Sequence, residues 1–278
     1  MFLKGCPLRC AWCHNPEAIS ARRELVVMEG RCVVCGRCGA GCPQSGEAAL
    51  GLVWPVRQEG CTFCGSCAEA CPTGARQIIG QTMTVSEVMK RVRQDRVFYE
   101  ESGGGVTFSG GEPFLQAQFL GALLERCRRE SLPTAVDTCG FGDGGTILGL
   151  ASLVDLFLFD LKLMDDAAHQ EFCGVSNRSI LENLLALGNG SHRIWLRVPV
   201  VPGVTDRSEN LSEIARLAGS LPGVEQVNIL PYHRTGVGKL ARLGRENLLG
   251  ETSEPDRAEL DRAAGFFRAE GCRVRIGG

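Results

Sequence analysis

Three cysteines near the start of the chain have the type and the spacing to bind an iron–sulfur cluster. Cys6, Cys10 and Cys13 form a C-x3-C-x2-C pattern, and thiolates are soft ligands that suit such clusters. Three thiolates hold three irons of a four-iron cluster and leave the fourth iron open to a ligand. Trp12 lies between the last two cysteines, where it could shield the cluster from water. The pattern therefore predicts a cluster that binds a substrate as well as accepting electrons.

Three other interpretations of this segment have to be weighed. The run from Cys10 to His14 fits the C-x-x-C-H pattern of haem attachment, but that requires export, and the first residues do not resemble a signal peptide. A zinc site could use Cys6, Cys10, Cys13 and His14. A disulfide framework does not suit a chain of this length without a secretion signal.

A second cysteine-rich region contains the same pattern twice. Each copy reads C-x2-C-G-x-C-x3-C-P, which is the bacterial ferredoxin run, and its fourth cysteine serves the other cluster. Paired zinc knuckles are the alternative, but they usually lack the third cysteine and the C-P ending. We predict two electron-carrying four-iron clusters with crossed ligand sets: Cys32, Cys35, Cys38 and Cys71 for cluster one, and Cys61, Cys64, Cys67 and Cys42 for cluster two.

The composition limits the class of protein. The chain has 278 residues, 44% hydrophobic and 22% charged, which suffices for one large core or two unequal domains. A net charge of -2 does not favour nucleic acid or an acidic membrane surface, and no apolar run is long enough to span a bilayer. The 15 cysteines stand mostly in short repeats, which in a cytoplasmic chain indicates metal.

After Gly80, apolar strands and amphipathic helices alternate. This alternation predicts an α/β fold with a parallel sheet. The predicted strands are Gly105–Ser109, Thr134–Thr138, Leu156–Leu161, Ile194–Val200, Gln226–Leu230 and Arg273–Ile276. The predicted helices are Val85–Asp95, Gln116–Glu130, Ser179–Leu187, Ser208–Leu221 and Pro255–Glu270.

Polar side chains follow several of the predicted strands. Glu112 follows two glycines and could accept an ammonium group, although Gly-Gly-Glu is also a common turn. Asp137 and Asp160 could bind a cation or a ligand hydroxyl, or could cap helices. Arg197 lies in an apolar strand, where an unpaired guanidinium is costly, so it needs a carboxylate. His233 ends a strand, where a lone histidine is usually a structural hydrogen-bond partner.

The remaining cysteines carry no pattern. Cys127, Cys173 and Cys272 stand singly and are expected to be buried and inert. Cys139 follows Asp137 and Thr138 and could face the same site, but no chemistry is assigned to it.

Taken together, these motifs resemble those of radical S-adenosylmethionine (SAM) enzymes. The residues before Cys6 and the run Cys13-His14-Asn15-Pro16-Glu17 resemble, more narrowly, the activating enzymes of glycyl-radical enzymes. The resemblance implies an open, partial TIM-type barrel with function at the carboxyl ends of the strands. It implies a barrel domain over 1–27 and 80–278, with its first strand almost wholly missing, and a ferredoxin-like insert over 28–79.

The resemblance also implies roles for the strand-end residues. The open iron would bind the amino and carboxylate groups of SAM, and Gly110, Gly111 and Glu112 would receive the amino group. Lys162 would contact SAM or balance the charge of the cluster. Arg197 would pair with the SAM carboxylate, unless it forms a structural pair with Asp160 or Glu112. The resemblance further places His233 near the adenosine. It also implies that Asp137, Thr138 and Asp160 help to bind a monovalent cation beside the SAM carboxylate.

The function implied is reductive cleavage of SAM to a 5′-deoxyadenosyl radical, which removes hydrogen from a glycine of a partner enzyme. The implied cofactors are three four-iron clusters and SAM, and the implied partners are a glycyl-radical enzyme and a flavodoxin- or ferredoxin-type electron donor. We expect a cytoplasmic monomer. Two alternatives stay open: a radical SAM enzyme that acts directly on a small molecule or peptide, and an electron-transfer protein with three clusters.

One departure from the family pattern concerns the start of the chain. Family members usually carry a longer segment before the cysteines, including an Asp-Gly-Pro-Gly-Ile-Arg stretch near the glycyl loop of the partner. Here Met1 stands five residues before Cys6. We expect a misplaced start or a truncation, with Cys6 on a frayed terminus, poor folding and weak partner binding.

Overall fold

A computed structural model describes residues 1–44 and 60–277 of the chain. Its strands are β1 Phe2–Leu3, β2 Glu24–Val27, β3 Arg76–Ile79, β4 Val106–Gly110, β5 Thr134–Thr138, β6 Leu156–Asp160, β7 Ile194–Val200, β8 Val224–Pro231 and β9 Val274–Ile276. Its helices are α1 Arg37–Ala40, α2 Ser66–Glu69, α3 Val85–Gln94, α4 Arg96–Ser102, α5 Ala117–Arg129, α6 Gly144–Ala151, α7 Asp166–Cys173, α8 Arg178–Gly188, α9 Ser208–Ser220, α10 Thr235–Arg242 and α11 Arg257–Ala269.

One seven-stranded sheet forms the body of the protein, in the order β1-β4-β5-β6-β7-β8-β9. Every pairing within it is parallel, so the carboxyl ends of the strands meet at one edge. Within the described residues β1 and β9 do not pair with each other, and the sheet is not a closed barrel. The predicted α/β class with an open parallel sheet is confirmed.

The core consists of apolar side chains from the strands and from one face of each covering helix. Phe108, Phe157 and Phe159 of the sheet are fully buried. On α5, Leu120, Leu123, Leu124 and Cys127 recur at helical spacing and are also fully buried. The middle of a covered parallel sheet offers polar groups no water, so polar residues within the strands, such as Arg197 of β7 and Asn228 of β8, need partners inside the protein. No helix of the described residues combines the length and the apolarity needed to cross a bilayer.

A separate two-stranded ribbon carries the ferredoxin-like cysteines. β2 and β3 pair antiparallel, with Glu24 opposite Ile79 and Val27 opposite Arg76, and the chain between them contains α1 and α2. The ribbon begins at Glu24, before the predicted insert boundary at residue 28. Residues 45–59 of that insert lie outside the described residues, and the domain bounds stay a prediction.

The expectation of a frayed amino terminus is wrong. Phe2 and Leu3 pair with Ser109 and Gly110 of β4, and the amino group of Met1 donates a hydrogen bond to the carbonyl of Thr107 at 2.7 Å. The backbone N–H of Cys6 donates to the carbonyl of Ile19 at 2.9 Å. A two-residue strand therefore lies at the amino terminus, and the backbone at Cys6 is held by a hydrogen bond.

Candidate active site

The three cysteines of the first motif meet at a cavity of about 370 Å³ at the carboxyl edge of the sheet. Cys6, Cys10 and Cys13 lie on its wall, and Trp12 beside them is 7% exposed. The strand-end residues that line the same cavity are Ser109, Gly110, Gly111, Asp137, Thr138, Cys139, Asp160, Lys162 and Arg197. The structure therefore brings the cysteine motif and most of the predicted strand-end residues to one place.

The loop that carries the cysteines is held by backbone hydrogen bonds to the end of α7. The N–H of Arg9 donates to the carbonyl of Cys173 at 2.8 Å, and the N–H of Ala11 donates to the carbonyl of Phe172 at 2.9 Å. Apolar side chains fill the space beneath it, and we call this group the motif core: Leu8, Ala11, Trp12, Cys139, Leu163, Cys173, Val201, Val204 and Tyr232. The motif core keeps water away from one side of the cavity.

Gly110, the last residue of β4, and Gly111 allow the cysteine loop to approach the sheet. A Cβ atom on Gly111 would lie 2.1 Å from the carbonyl oxygen of Gly5, so no other residue fits there. The N–H of Gly111 donates to the carbonyl of Leu3 at 2.8 Å, and the N–H of Glu112 donates to the carbonyl of Gly5 at 2.7 Å. This turn therefore seats the residues immediately before Cys6.

The carboxylate of Glu112 is not where the family resemblance places it. It is fully buried and does not line the cavity. It accepts hydrogen bonds from Thr138 Oγ1 at 2.8 Å, from the Cys139 N–H at 2.8 Å, from the Cys139 thiol at 2.9 Å and from the Phe114 N–H at 3.1 Å. Burial raises the pKa of Glu112. With these contacts the carboxylate braces the ends of β4 and β5, and Gly110 and Gly111 face the cavity instead.

Arg197 joins two aspartates across the cavity. Its Nε donates to Asp160 Oδ1 at 2.7 Å, and its Nη2 donates to Asp137 Oδ1. Lys162 Nζ donates to Asp160 Oδ2 at 3.2 Å, and Ser109 Oγ donates to Asp137 Oδ2 at 2.7 Å. Burial alone would raise the pKa of Asp160, but Arg197 and Lys162 lower it below its ordinary value. The structural pair of Arg197 with Asp160 is present, whereas Glu112 is not a partner.

The predicted cation ligands are therefore already engaged with other groups of the protein. Asp137 and Asp160 share one guanidinium, and Thr138 Oγ1 donates to Glu112. Over residues 1–44 and 60–277, no three His, Cys, Asp or Glu side chains converge as a site for a single metal ion. The monovalent cation stays a prediction.

The rings of two histidines stack on each other beside the cavity. His14 lines the cavity, and its ring stacks on that of His233 with a centroid distance of 4.2 Å. His233 is exposed and does not line the cavity, and its Nδ1 lies 2.6 Å from Thr235 Oγ1. Nε2 of His14 is buried and has no hydrogen-bond partner within the described residues. Sequence reasoning placed His233 near the adenosine and considered His14 only as a zinc ligand or as part of a haem-attachment pattern, although its position directly after Cys13 was a signal for this cavity.

The cysteines of the insert fall into two sets. Cys32, Cys35, Cys38 and Cys71 line one cavity, and Cys42, Cys61, Cys64 and Cys67 line another. These are the two crossed sets that the spacing predicts. α1 and α2, which contain Cys38 and Cys67, lie close together, since a Cβ atom on Gly41 would be 3.0 Å from Cβ of Ala70.

The backbone of the two repeats has the same strained conformation. Val34 and Phe63 occupy equivalent positions and have φ values of 53° and 54°. A left-handed conformation is unfavourable for a branched residue such as Val34, so it persists only where the surroundings impose it. Gly36 and Gly65, which also have positive φ, immediately precede α1 and α2. Two four-thiolate sets in matching cradles fit a pair of iron–sulfur clusters.

Comparison with known families agrees with this geometry. The model of the radical SAM superfamily matches residues 58–217, and that of the 4Fe-4S dicluster domain matches residues 24–72. The chain belongs to the radical SAM superfamily. The superfamily match covers more than half of the chain, and the dicluster match covers both cysteine repeats of the insert.

Several curated relatives of this radical SAM protein are activating enzymes. It is 37% identical to the trans-4-hydroxy-L-proline dehydratase activating enzyme of Clostridioides difficile, over 100% of this chain and 93% of that protein. It is 42% identical to the isethionate sulfite-lyase activating enzyme of Oleidesulfovibrio alaskensis, over 90% of this chain and 83% of that protein. The family predicted from the sequence, the activating enzymes of glycyl-radical enzymes, is confirmed.

Solved structures show the same fold. A domain of the pyruvate-formate lyase-activating enzyme from Bacteroides vulgatus has a TM-score of 0.54 and 32% identity, over 63% of this chain and 99% of that chain. A radical SAM methyltransferase from Sphaerobacter thermophilus has a TM-score of 0.52 at 19% identity, over 78% of this chain and 62% of that chain, which indicates the fold alone.

Proposed function

We propose that this radical SAM protein generates a 5′-deoxyadenosyl radical from SAM and removes a hydrogen atom from a glycine of a partner enzyme. The observation that carries the proposal is the meeting of Cys6, Cys10 and Cys13 with a set of strand-end charges at one cavity. The relatives named as activating enzymes align over nearly the whole chain and support the protein partner. When bound, a four-iron cluster would supply the electron that splits the sulfonium.

The other residues of the cavity would bind the cluster, bind SAM or exclude water. Cys6, Cys10 and Cys13 would hold the cluster and leave one iron to SAM. Lys162 would supply positive charge for the SAM carboxylate, while Arg197 holds Asp137 and Asp160 in place. The turn at Gly110 and Gly111 offers backbone toward the SAM amino group. Trp12 and the motif core exclude water, so that the sulfonium is held in alignment in a dry site. In this proposal Glu112 acts by seating the turn and not by direct contact.

The crossed thiolate sets of the insert support two further clusters, which makes three in all. We propose that residues 28–79 form this ferredoxin-like unit, and that residues 1–27 and 80–278 form the catalytic one. Cys32 and Cys35 are exposed, which suits exchange of electrons with a flavodoxin- or ferredoxin-type donor. The protein would work as a monomer in the cytoplasm.

The decisive experiment is anaerobic reconstitution with iron and sulfide, followed by incubation with SAM and a low-potential reductant. We expect 5′-deoxyadenosine, and a glycyl-radical signal by EPR when a candidate partner is present. A suitable partner would be a genomic neighbour with an Arg-Val-x-Gly-Tyr-like segment near its carboxyl terminus. Cys10→Ala should abolish both products, whereas Cys127→Ala, a change in the remote core, should leave both.

The possible outcomes separate the parts of the proposal. Deoxyadenosine without a radical on any candidate partner would contradict the activating function and favour a small-molecule or peptide substrate. Incorporation of zinc in place of iron would contradict the proposal as a whole.

A further inference from the structure

Exposed arginines border the cavity that contains the first cysteine set of the insert. This cavity measures about 1230 Å³, and Arg22 and Arg23, both exposed, lie on its wall. A neighbouring cavity of about 390 Å³ shares Val27 and Glu29 with it and is lined by two further exposed arginines. We call these four side chains the basic rim: Arg22, Arg23, Arg31 and Arg242.

The charges of the basic rim are not neutralised by nearby carboxylates. Within residues 1–44 and 60–277, none of the four arginines forms an ion pair. Glu24, on the wall of the first cavity, already pairs with Lys4 and Arg245. Glu29 is the one other carboxylate that the described residues contribute to the two cavities. Because the whole chain has a net charge of -2, this face is a local excess of positive charge.

The same cavity has an exposed apolar part. Val33 and Val34 line it and are 63% and 57% exposed, and they stand between Cys32 and Cys35, which are exposed as well. An apolar centre with a charged rim is the usual anatomy of a protein interface. Arg76 also lines the cavity but is only 9% exposed, so its charge acts on the thiolates inside rather than on a partner.

The cavity of the second cysteine set has a different character. It measures about 20 Å³, and its walls include Leu25, Phe63 and Ile78. Of the parts of the chain that the structure describes, no Asp, Glu, Lys or Arg contributes to it. Among these residues, positive charge therefore borders the first cysteine set and not the second.

We propose that the basic rim, with Val33 and Val34, is the docking surface for an acidic electron-carrier protein that delivers electrons to the first cysteine set. In each encounter the donor is oxidised by one electron, which passes to the cluster held there, and no bond forms or breaks. Electron-transfer complexes are weak and short-lived, and attraction between opposite charges suits them because it speeds association. The inference rests on the proposed function, since it takes the insert cysteines as ligands of electron-carrying clusters.

The test follows the entry of electrons into the full chain after anaerobic reconstitution. A reduced acidic flavodoxin is mixed with the protein by stopped flow, and the loss of visible cluster absorbance gives a second-order rate constant. Arg22→Glu/Arg23→Glu should lower this rate constant about tenfold at low ionic strength. In about 1 M salt the difference should vanish, because the Debye length falls to about 3 Å.

Two controls separate docking from other effects of charge. Arg216→Glu/Arg262→Glu makes the same change of charge at exposed positions of α9 and α11, and should lower the rate constant much less. Reduced methyl viologen is a small cation that needs no docking surface, so Arg22→Glu/Arg23→Glu should not slow its reaction. If the glutamates impair cluster retention, Arg22→Gln/Arg23→Gln takes their place, with a several-fold decrease expected for flavodoxin.

Several results would overturn the inference. These are equal flavodoxin rate constants in the two double variants, no reduction of the unsubstituted protein by flavodoxin, or equal slowing with both reductants, since the arginines would then act on the cluster. Dimerisation at low ionic strength that Arg22→Glu/Arg23→Glu abolishes, measured by sedimentation, would assign the face to a second copy instead. Normal reduction by flavodoxin without formation of 5′-deoxyadenosine would contradict the proposed function and leave the docking surface standing.

Discussion

At the scale of single residues, Arg197 makes the acidic cavity possible. Asp137 and Asp160 both face the cavity, and their side chains are 19% and 23% exposed. Two carboxylates so poorly solvated would repel each other, and the guanidinium that contacts both of them offsets this repulsion. Arginine suits the place because its planar fork can serve two acceptors at once.

Replacing Arg197 with methionine should leave both aspartates without their shared partner. We expect a loss of about 3–5 kcal/mol in the free energy of unfolding, as is usual when one member of a buried ion pair is removed. Urea unfolding of the metal-free protein would measure it. Arg193→Met is the matched control, because Arg193 pairs with Glu225 at the surface with side chains 59% and 40% exposed. That change should cost about 1 kcal/mol or less, and equal losses for the two variants would contradict the assignment.

The sequence allowed some of these contacts to be anticipated and concealed others. An arginine in an apolar strand needs a carboxylate, and Asp160 stands opposite Arg197 in the β6–β7 register. The contribution of Asp137 depends on how long side chains reach across three strands, which no local pattern specifies. The withdrawal of Glu112 from the cavity depends on the turn after β4, where Thr138 and Cys139 supply its donors. Sequence reasoning therefore anticipated the contact between neighbouring strands and missed the contacts that depend on a turn or on a side chain that reaches past the adjacent strand.

At the scale of elements, α10 packs against the backbone of the cysteine loop. Gly236 in its first turn faces the backbone of Cys13, and a Cβ atom there would lie 2.5 Å from the Cys13 carbonyl oxygen. Gly238, two residues further along, has open space around its Cα. The helix therefore contains one glycine that the packing requires and one that it does not.

These two glycines give a matched pair of variants. Gly236→Ala should push α10 away from Cys13. After anaerobic reconstitution with iron and sulfide, it should reduce several-fold the cluster EPR signal that changes when SAM is added. Gly238→Ala should retain the signal and stabilise the helix by about 0.5–1 kcal/mol, since alanine restricts the unfolded chain more than glycine does. A normal signal in Gly236→Ala would show that this close contact is not needed to hold the cysteine loop.

Two other helices are joined by a cluster of charges with a definite pH dependence. Glu130, just after α5, accepts from Arg93 of α3 at 2.7 and 2.8 Å and from Arg126 at 2.8 Å. The hydrogen bonds from Arg93, with help from Arg126, lower the pKa of Glu130 from 4.5 to about 2. A carboxylate with a lowered pKa stabilises the fold above its unfolded pKa, and the contribution is lost as the pH falls through the folded value.

Glu130→Gln should therefore reduce the free energy of unfolding by about 1 kcal/mol at pH 7. The difference from the unsubstituted protein should shrink as the pH falls from 4.5 toward 2. Urea unfolding of the metal-free protein over this pH range would measure it. Glu100→Gln, which removes an exposed pair with Arg96 inside α4, should have a smaller effect. A difference that does not depend on pH would rule out the ion pairs as its cause.

Two of the helices that the sequence failed to indicate contain paired or closely spaced glycines. α6 begins with Gly144 and Gly145, and α10 contains Gly236 and Gly238. Glycine has low helix propensity, so both segments resemble loops until tertiary packing is considered. By contrast, Thr134–Thr138 and Ile194–Val200 are apolar enough to be predicted with their observed bounds.

At the scale of the whole molecule, one carboxylate joins the insert to the body of the protein. Glu24, the first residue of β2, accepts from Lys4 Nζ at 3.0 Å and from Arg245 Nη2 at 2.5 Å. The same two cations donate to the carbonyls of Glu17 and Pro16, just after the cysteine motif. Glu24 thereby fixes the base of the ribbon against the loop that follows Cys13.

Glu24→Gln should loosen this junction without altering either set of insert cysteines. We expect a loss of about 1–3 kcal/mol in stability, since two charge-assisted hydrogen bonds weaken. Amide hydrogen exchange should become faster in β2 and β3, while β5 and β6 should exchange as before. Glu29→Gln, an exposed neighbour in the same segment, is the control. Unchanged protection of the ribbon would show that apolar contacts alone hold it.

The crossing of the last cysteine of each repeat has a consequence for how the insert gains and loses metal. Cys71 lines the cavity of the first repeat and Cys42 lines that of the second. Oxidative damage that frees the ligands of either cavity must therefore displace a segment on which the other depends. Assembly and decay of the pair would then be all-or-none, and partly oxidised preparations would be mixtures of molecules with both insert clusters and molecules with neither.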